Sequence, residues 1–261
     1  MPIFASMTEE KAQPRNSSAI LAEERYLRER RDPSFRDKSY LALADLQEFV
    51  RRTAPKMNGR LLDYGCGGAP YRDLFANCPV YVRADMLQAP EIDLVLASDG
   101  STNEPDATYD AIFSAQVLEH VADPGSYVRE CGRVLKKGGL ILLSTHGLFL
   151  EHKCPNDYYR WTSQGLEELF RAHGFEILDS VKLTAGTRGA VQMLHYLVEQ
   201  FRYQPPSITT LFLRALRKLY NVIFVPSFNL CGRWLFEDGG VVPADDTATI
   251  YIGVGVLAKK L

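Results

Sequence analysis

The chain has 261 residues, 46% of them apolar and 24% charged, a balance that supports a buried core and excludes a disordered or fibrous protein. Its 30 Lys and Arg against 32 Asp and Glu give a net charge of -2, which offers no general attraction to phosphate backbones, so no nucleic-acid partner is expected. There is no charge-free stretch of about 18 residues for a spanning helix and no basic-then-apolar leader, and Cys66, Cys78, Cys131, Cys154 and Cys231 are scattered; a cytoplasmic protein is expected.

Residues 1–18 are polar and aperiodic and predict a flexible tail. Helical spacing follows over 18–31, rich in Glu and Arg, and over 40–52, where Leu43, Leu46, Phe49 and Val50 share a face. Pro55 and the Asn58-Gly59 pair end that region. Short continuous apolar runs then appear at 60–64, 80–84, 92–97, 111–114 and 140–145. Continuous rather than alternating runs fit strands covered on both faces. With helix-length segments between most of them, they predict an α/β fold, a doubly wound, mostly parallel, seven-stranded sheet. Thr162 suits the cap of a helix over 163–173 stopped by Gly174, and 176–185 and 247–258 supply the sixth and seventh strands. The stretch between those two strands is too long for a hairpin loop and too apolar for a linker, and 190–201 and 208–224 look helical. The expected division is a tail 1–18, N-terminal helices 19–58, a core 59–189 with 245–261, and a helical insert 190–244 serving as lid, interface or substrate cover.

Ligands in such sheets bind beyond the carboxyl ends of the strands. The first strand runs Leu61-Leu62-Asp63-Tyr64 into Gly65-Cys66-Gly67-Gly68-Ala69-Pro70, an acid followed by a Gly-rich turn and an expected helix start at Pro70. Glycines let backbone approach a ligand, and amides at a helix start can meet an anionic group. The same residues could also form a tight βα turn with no ligand.

This turn resembles that of the class I S-adenosylmethionine-dependent methyltransferases, and the resemblance covers roughly 59–185 and the last strand. It implies S-adenosylmethionine as cofactor, with Asp63, Tyr64, Gly65, Cys66 and Gly67 around its methionine part. It further implies Asp85 and Met86 at the ribose, Ser98, Asp99 and Gly100 at the adenine, and Gln116 in the motif 109–121 that leaves the fourth strand. A carboxylate can accept both hydroxyls of a diol, and an exocyclic amine needs an acceptor. A nicotinamide dinucleotide fold would want a further glycine where Pro70 stands.

The segment His152-Lys153-Cys154-Pro155-Asn156-Asp157-Tyr158-Tyr159-Arg160-Trp161-Thr162 is similar to that of a bacterial subgroup often associated with glycan pathways. It implies an acceptor near His152, Tyr158 and Arg160. His152 or His146 could act as base toward a hydroxyl. The plainer reading is an Asp157–Arg160 ion pair bracing the loop, with Tyr158 and Trp161 in the core. His120 reads as structural or cofactor-side. His146, His152, Cys154 and Asp157 show no regular zinc spacing, and no metal is expected.

In the insert, Leu211, Phe212, Ala215, Leu216, Leu219, Tyr220 and Ile223 share a helical face, with Arg214, Arg217 and Lys218 toward another. That suits a lid or homodimer interface first, and a peripheral membrane contact through 208–224 second. The expected function is methyl transfer from S-adenosylmethionine to a small-molecule or glycan acceptor, at a hydroxyl oxygen. The alternatives are a non-catalytic S-adenosylmethionine-binding module and a nicotinamide-dependent oxidoreductase.

Overall fold

A computed structural model describes residues 17–153, 156–200, 208–234 and 240–261. The expected tail up to residue 16, Cys154 and Pro155 of the histidine segment, residue 201 at the end of the expected helix 190–201, and residues 202–207 and 235–239 of the expected insert lie outside the described residues.

Eight strands form one sheet: β1 (Arg60–Tyr64), β2 (Val80–Asp85), β3 (Leu94–Val95), β4 (Tyr109–Ala115), β5 (Leu135–His146), β6 (Phe175–Ala185), β7 (Gly240–Pro243) and β8 (Tyr251–Lys260). Their order is β3-β2-β1-β4-β5-β8-β6-β7. Pairing is parallel from β3 through β5, while β8 runs antiparallel between β5 and β6. Strand order reverses at β1, so the crevice between the exits of β1 and β4 is the natural ligand position.

Helices cover both faces. Of α1 (Ser17–Arg31) and α2 (Tyr40–Thr53), the second buries Leu46, Phe49 and Val50 against one face, in a core with Leu61, Phe113, Leu142 and Leu257. Phe49 lies where a Cβ on Gly255 would sit, 2.5 Å from its ring, so this packing requires glycine in β8. The opposite face carries α3 (Pro124–Val134) and α4 (Ser163–Ala172), which bury Tyr127, Val128, Cys131, Leu166 and Phe170 over Leu62, Ile112, Ile141 and Val256. Pro124 opens α3 behind an Asp123 cap, and Thr162 caps α4 by accepting from the Gly165 amide at 3.1 Å.

The insert differs from expectation in two places. Gly240–Pro243, read as part of a helical insert, is an edge strand paired with β6, making eight strands instead of seven. Four residues are too few to show a period. After α5 (Gly186–Gln200) and α6 (Ile208–Leu219), a π-helical turn at Tyr220–Phe224 leads into α7 (Val225–Trp234), which the sequence reading lacked. Pro226 suggests a break, but in a first turn it costs no hydrogen bond. A buried ion pair, Arg188–Asp45 at 2.8 Å, and Asn229, which donates to the carbonyls of Phe35 and Asp37, fasten α5 and α7 to the N-terminal region. Among the described residues, no helix is long and apolar enough to cross a membrane.

Candidate active site

The exit of β1 is a tight turn built on two left-handed glycines, Gly65 at φ +83° and Gly67 at φ +51°. A Cβ on Gly65 would lie 2.6 Å from Val117 Cγ2, so the turn packs directly on the segment leaving β4. The amides of Gly65 and Cys66 both donate to the Ala84 carbonyl, which lashes the turn to the end of β2. There Asp85 accepts from the Gly67 amide at 2.9 Å and from the Leu87 amide at 3.3 Å. The expected helix start at Pro70 is absent. The chain makes only a 3₁₀ turn at Arg72–Leu74 before β2, and Ala69 just before Pro70 sits at φ +47°, outside helical backbone.

Asp63 is 2% exposed and accepts from the Tyr81 hydroxyl at 2.6 Å. Burial pushes its carboxyl up to about 7, against the pull of the Tyr81 bond and with help from nearby Asp85. It makes no ion pair among the described residues. On the neighbouring loop, the Tyr64 hydroxyl donates to the Gly100 carbonyl. Asp99 is exposed and accepts from the amide and hydroxyl of Ser101, which hold it below the usual carboxylate range. Ser98 is exposed, and Met86 is 51% exposed. A Cβ on Gly67 or on Gly100 would project into open space, leaving room beside both backbones. Asp63, Asp85 and the glycine turn thus converge, while the Asp99 carboxylate is directed to its own turn. Buried Asp63 without a cation and the Asp85 carboxylate, with open space beside the Gly67 backbone, fit an amino-acid ammonium and a ribose diol.

A second constellation lies at the exits of β4 and β5. Gln116 adopts φ +58°, a conformation costly for a residue with a side chain, and its amide and side chain both bind Ser144. A 3₁₀ turn at Leu118–His120 follows and carries Glu119 fully into the interior. Glu119 Oε2 accepts from the Thr145 hydroxyl at 2.9 Å; Oε1 has no hydrogen bond, with His146 Nε2 3.1 Å away outside bonding geometry. Burial pushes the Glu119 carboxyl up to about 7. His146 stacks on Phe149 at 3.9 Å, and its burial holds the imidazole well below its ordinary pKa. His152, half-buried and also lowered chiefly by burial, lies edge-on to both His120 and His146 with ring centres 5.0 Å apart.

The loop bearing His152 is held from below. Asp157 accepts from the His152 amide at 2.8 Å and takes both guanidinium nitrogens of Arg160 at 2.6 Å. Arg160 also donates to the carbonyls of Phe149, Leu150 and Tyr159, so its donors are engaged within the loop rather than turned toward an acceptor. The amides of Tyr158 and Trp161 bind the carbonyls of Glu119 and His146. Trp161 packs against the core, but the Tyr158 side chain is 50% exposed rather than in the core.

Sequence reasoning therefore located His146 and His152 but not Glu119, and it set His120 apart from them. An acid between Leu118 and Val121, in a stretch that had to be buried, was the available signal.

A family model for a methyltransferase domain matches residues 35–180, more than half of the chain. Curated relatives include the "Probable S-adenosylmethionine-dependent methyltransferase" of Mycobacterium tuberculosis, 32% identical over 38% of this chain and 40% of that protein. Another is the ubiquinone biosynthesis O-methyltransferase of Xylella fastidiosa, 31% identical over 44% of this chain and 53% of that protein. The matched stretches thus span about half or less of those relatives. Among solved structures, an S-adenosylmethionine-dependent methyltransferase of Thermotoga maritima shares the fold at a TM-score of 0.55 and 17% identity, covering 93% of this chain and 96% of that one. The chain belongs to the methyltransferase-domain family, and S-adenosylmethionine is the cofactor that goes with that membership.

Proposed function

We propose that the protein transfers the methyl group of S-adenosylmethionine to a hydroxyl oxygen of a small-molecule or glycan acceptor. The observation that carries this reading is the glycine turn pressed on Val117, with buried Asp63 beside it and Asp85 on its amide. In this assignment Asp63 receives the ammonium group, Gly65, Cys66 and Gly67 line the methionine part with close-approaching backbone, and Asp85 with Met86 flanks the ribose. Tyr64 supports the Ser98–Gly100 loop at the adenine, with Asp99 free to exchange Ser101 for an amine donor, and Gln116 closes the site from β4.

When bound, S-adenosylmethionine supplies a methyl on a sulfonium, an activated leaving group. The protein's own work is then positioning, exclusion of water and removal of the acceptor proton. His152 stands at the rim of the histidine cluster and can take that proton at Nε2, since its Nδ1 faces the Leu150 carbonyl. His146, stacked on Phe149 and nearly buried, orients the cluster, and Tyr158 offers an exposed phenol for acceptor contact. The histidine segment's likeness to glycan-pathway proteins supports a sugar hydroxyl.

Calorimetry with S-adenosylmethionine should give one site per chain, lost in Asp85→Ala. His152→Ala should lower turnover, measured as S-adenosylhomocysteine released with a sugar acceptor, while leaving cofactor affinity unchanged. Cofactor binding with no turnover on any hydroxyl acceptor would instead support a non-catalytic binding module. The exposed apolar residues Leu211, Phe212, Val222 and Trp234 on α6, α7 and the turn between them, beside Arg214 and Lys218, support a peripheral contact with an anionic membrane surface. Co-sedimentation with anionic vesicles tests it, and dimerisation in solution through this face would replace it.

A further inference from the structure

We propose that Glu119, His120 and His152 form a binding site for one divalent transition-metal ion. One donor atom from each side chain lies within 4.8 Å of the others, although the loop bearing His152 is far from Glu119 in sequence. Both imidazoles are oriented from behind. His120 Nδ1 lies 2.5 Å from the Asn156 carbonyl, and a carbonyl only accepts, so Nδ1 carries the proton and Nε2 keeps its lone pair. His152 Nδ1 faces the Leu150 carbonyl at 3.3 Å and the Asp157 carboxylate at 3.5 Å, both acceptors, which fixes the same tautomer. Acceptors behind the outer nitrogen are how histidine ligands are held for a metal.

The third group supplies an independent pointer. Glu119 is fully buried, its Oε1 makes no hydrogen bond, and His120 Nε2 lies 3.9 Å from it. Lone pairs on two imidazoles converge on the unbonded Glu119 Oε1, and a cation is the partner that satisfies all three. Asp157 is occupied by Arg160, so it serves as a support for His152 rather than as a further ligand. His146 Nε2, 3.1 Å from Glu119 Oε1, is within reach as a fourth donor. Imidazole with carboxylate suits Zn²⁺, Co²⁺, Fe²⁺ or Mn²⁺, whereas Ca²⁺ and Mg²⁺ favour oxygen alone.

The ion's remaining coordination positions would receive the acceptor oxygen, a role that rests on the function proposed above. His152 would then be a ligand in place of its base role, since both uses draw on the same Nε2 lone pair, and the proton of the coordinated, acidified hydroxyl would pass to water.

Binding is tested without cofactor or acceptor, so that its failure is separate from failure of methyl transfer. Chain stripped by a chelator is titrated with Zn²⁺ and with Co²⁺, following heat and visible Co²⁺ absorption. One equivalent per chain is expected, with ligand-field bands of mixed nitrogen and oxygen coordination. Affinity should fall by about 100-fold or more in His152→Ala and in Glu119→Gln, each checked for native circular dichroism, and stay unchanged in His173→Ala. Glu119→Gln keeps the shape of the buried side chain, and His152 lies on a half-exposed loop, so both variants should fold. Less than stoichiometric binding by the wild type, or titrations unaltered in His152→Ala and Glu119→Gln, would overturn the site.

Discussion

Asp63 and Glu119 stand at the exits of adjacent strands, 2% and 0% exposed, yet burial is met differently at each. Asp63 accepts from a phenol, Tyr81, and lies beside open glycine backbone. Glu119 accepts from Thr145 through one oxygen and turns the other toward histidines. A third buried carboxylate, Asp45, is paired: Arg188 at 2.8 Å and Arg233 at 3.6 Å both meet its Oδ1, while its Oδ2, like Glu119 Oε1, has no hydrogen bond. A buried acid without a cation is costly to hold ionised, and proteins keep such groups where a ligand completes them. The difference separates scaffold from site. Asp45 has two guanidinium partners within the fold, while Asp63 and Glu119 have no Lys or Arg partner among the described residues, which is where the proposed ligands enter.

Variants sharpen this contrast, beginning with the largest effect. Gly65→Ala combines a left-handed φ with a 2.6 Å clash against Val117, and should abolish S-adenosylmethionine binding in calorimetry while lowering Tm. Gly67→Ala has open space, so strain of about 1 kcal/mol is its whole penalty for stability. Arg188→Ala strands the Asp45 charge and should destabilise by about 3 kcal/mol in urea unfolding, with cofactor affinity unchanged. A result reversed between Gly65→Ala and Arg188→Ala would erase the distinction between site and scaffold.

Asp63→Asn is a subtler break. It should weaken S-adenosylmethionine binding by about tenfold or more, as expected for loss of a charge-assisted bond of about 1.5 kcal/mol. Stability of the ligand-free chain should move the other way. The Asp63 carboxyl titrates near 7 in the fold against 3.8 in its ordinary state, so between those values the folded chain holds the extra proton and loses stability as pH rises. The Tm advantage of Asp63→Asn over wild type should therefore grow from about pH 4 and level off above about pH 7. An equal advantage at every pH would mean that Asp63 does not titrate in that window. Least of all, Phe212→Gln on the exposed face of α6 should shift stability by less than about 0.5 kcal/mol, and its effect should appear only in vesicle binding.

The glycine turn, Asp85 and most strands were legible because their information is contiguous: an apolar run, an acid and a turn forming one short string. Strand β7 was not legible, since four residues carry no period, and neither was the absence of a helix after Pro70. Glu119 was not legible as a site residue, and His120 reads only as structural or cofactor-side, because their partner His152 arrives on a loop from the far side of β5.

The amino-acid sequence determined by itself the doubly wound sheet and the methyltransferase turn, since hydrophobic period and glycine conformation act over a few neighbouring residues. Only the tertiary structure decided that Asp45 is paired, that Asp63 is not, and that a buried glutamate meets three imidazoles. Burial and charge pairing depend on what the chain brings back from a distance, and no local pattern encodes that return.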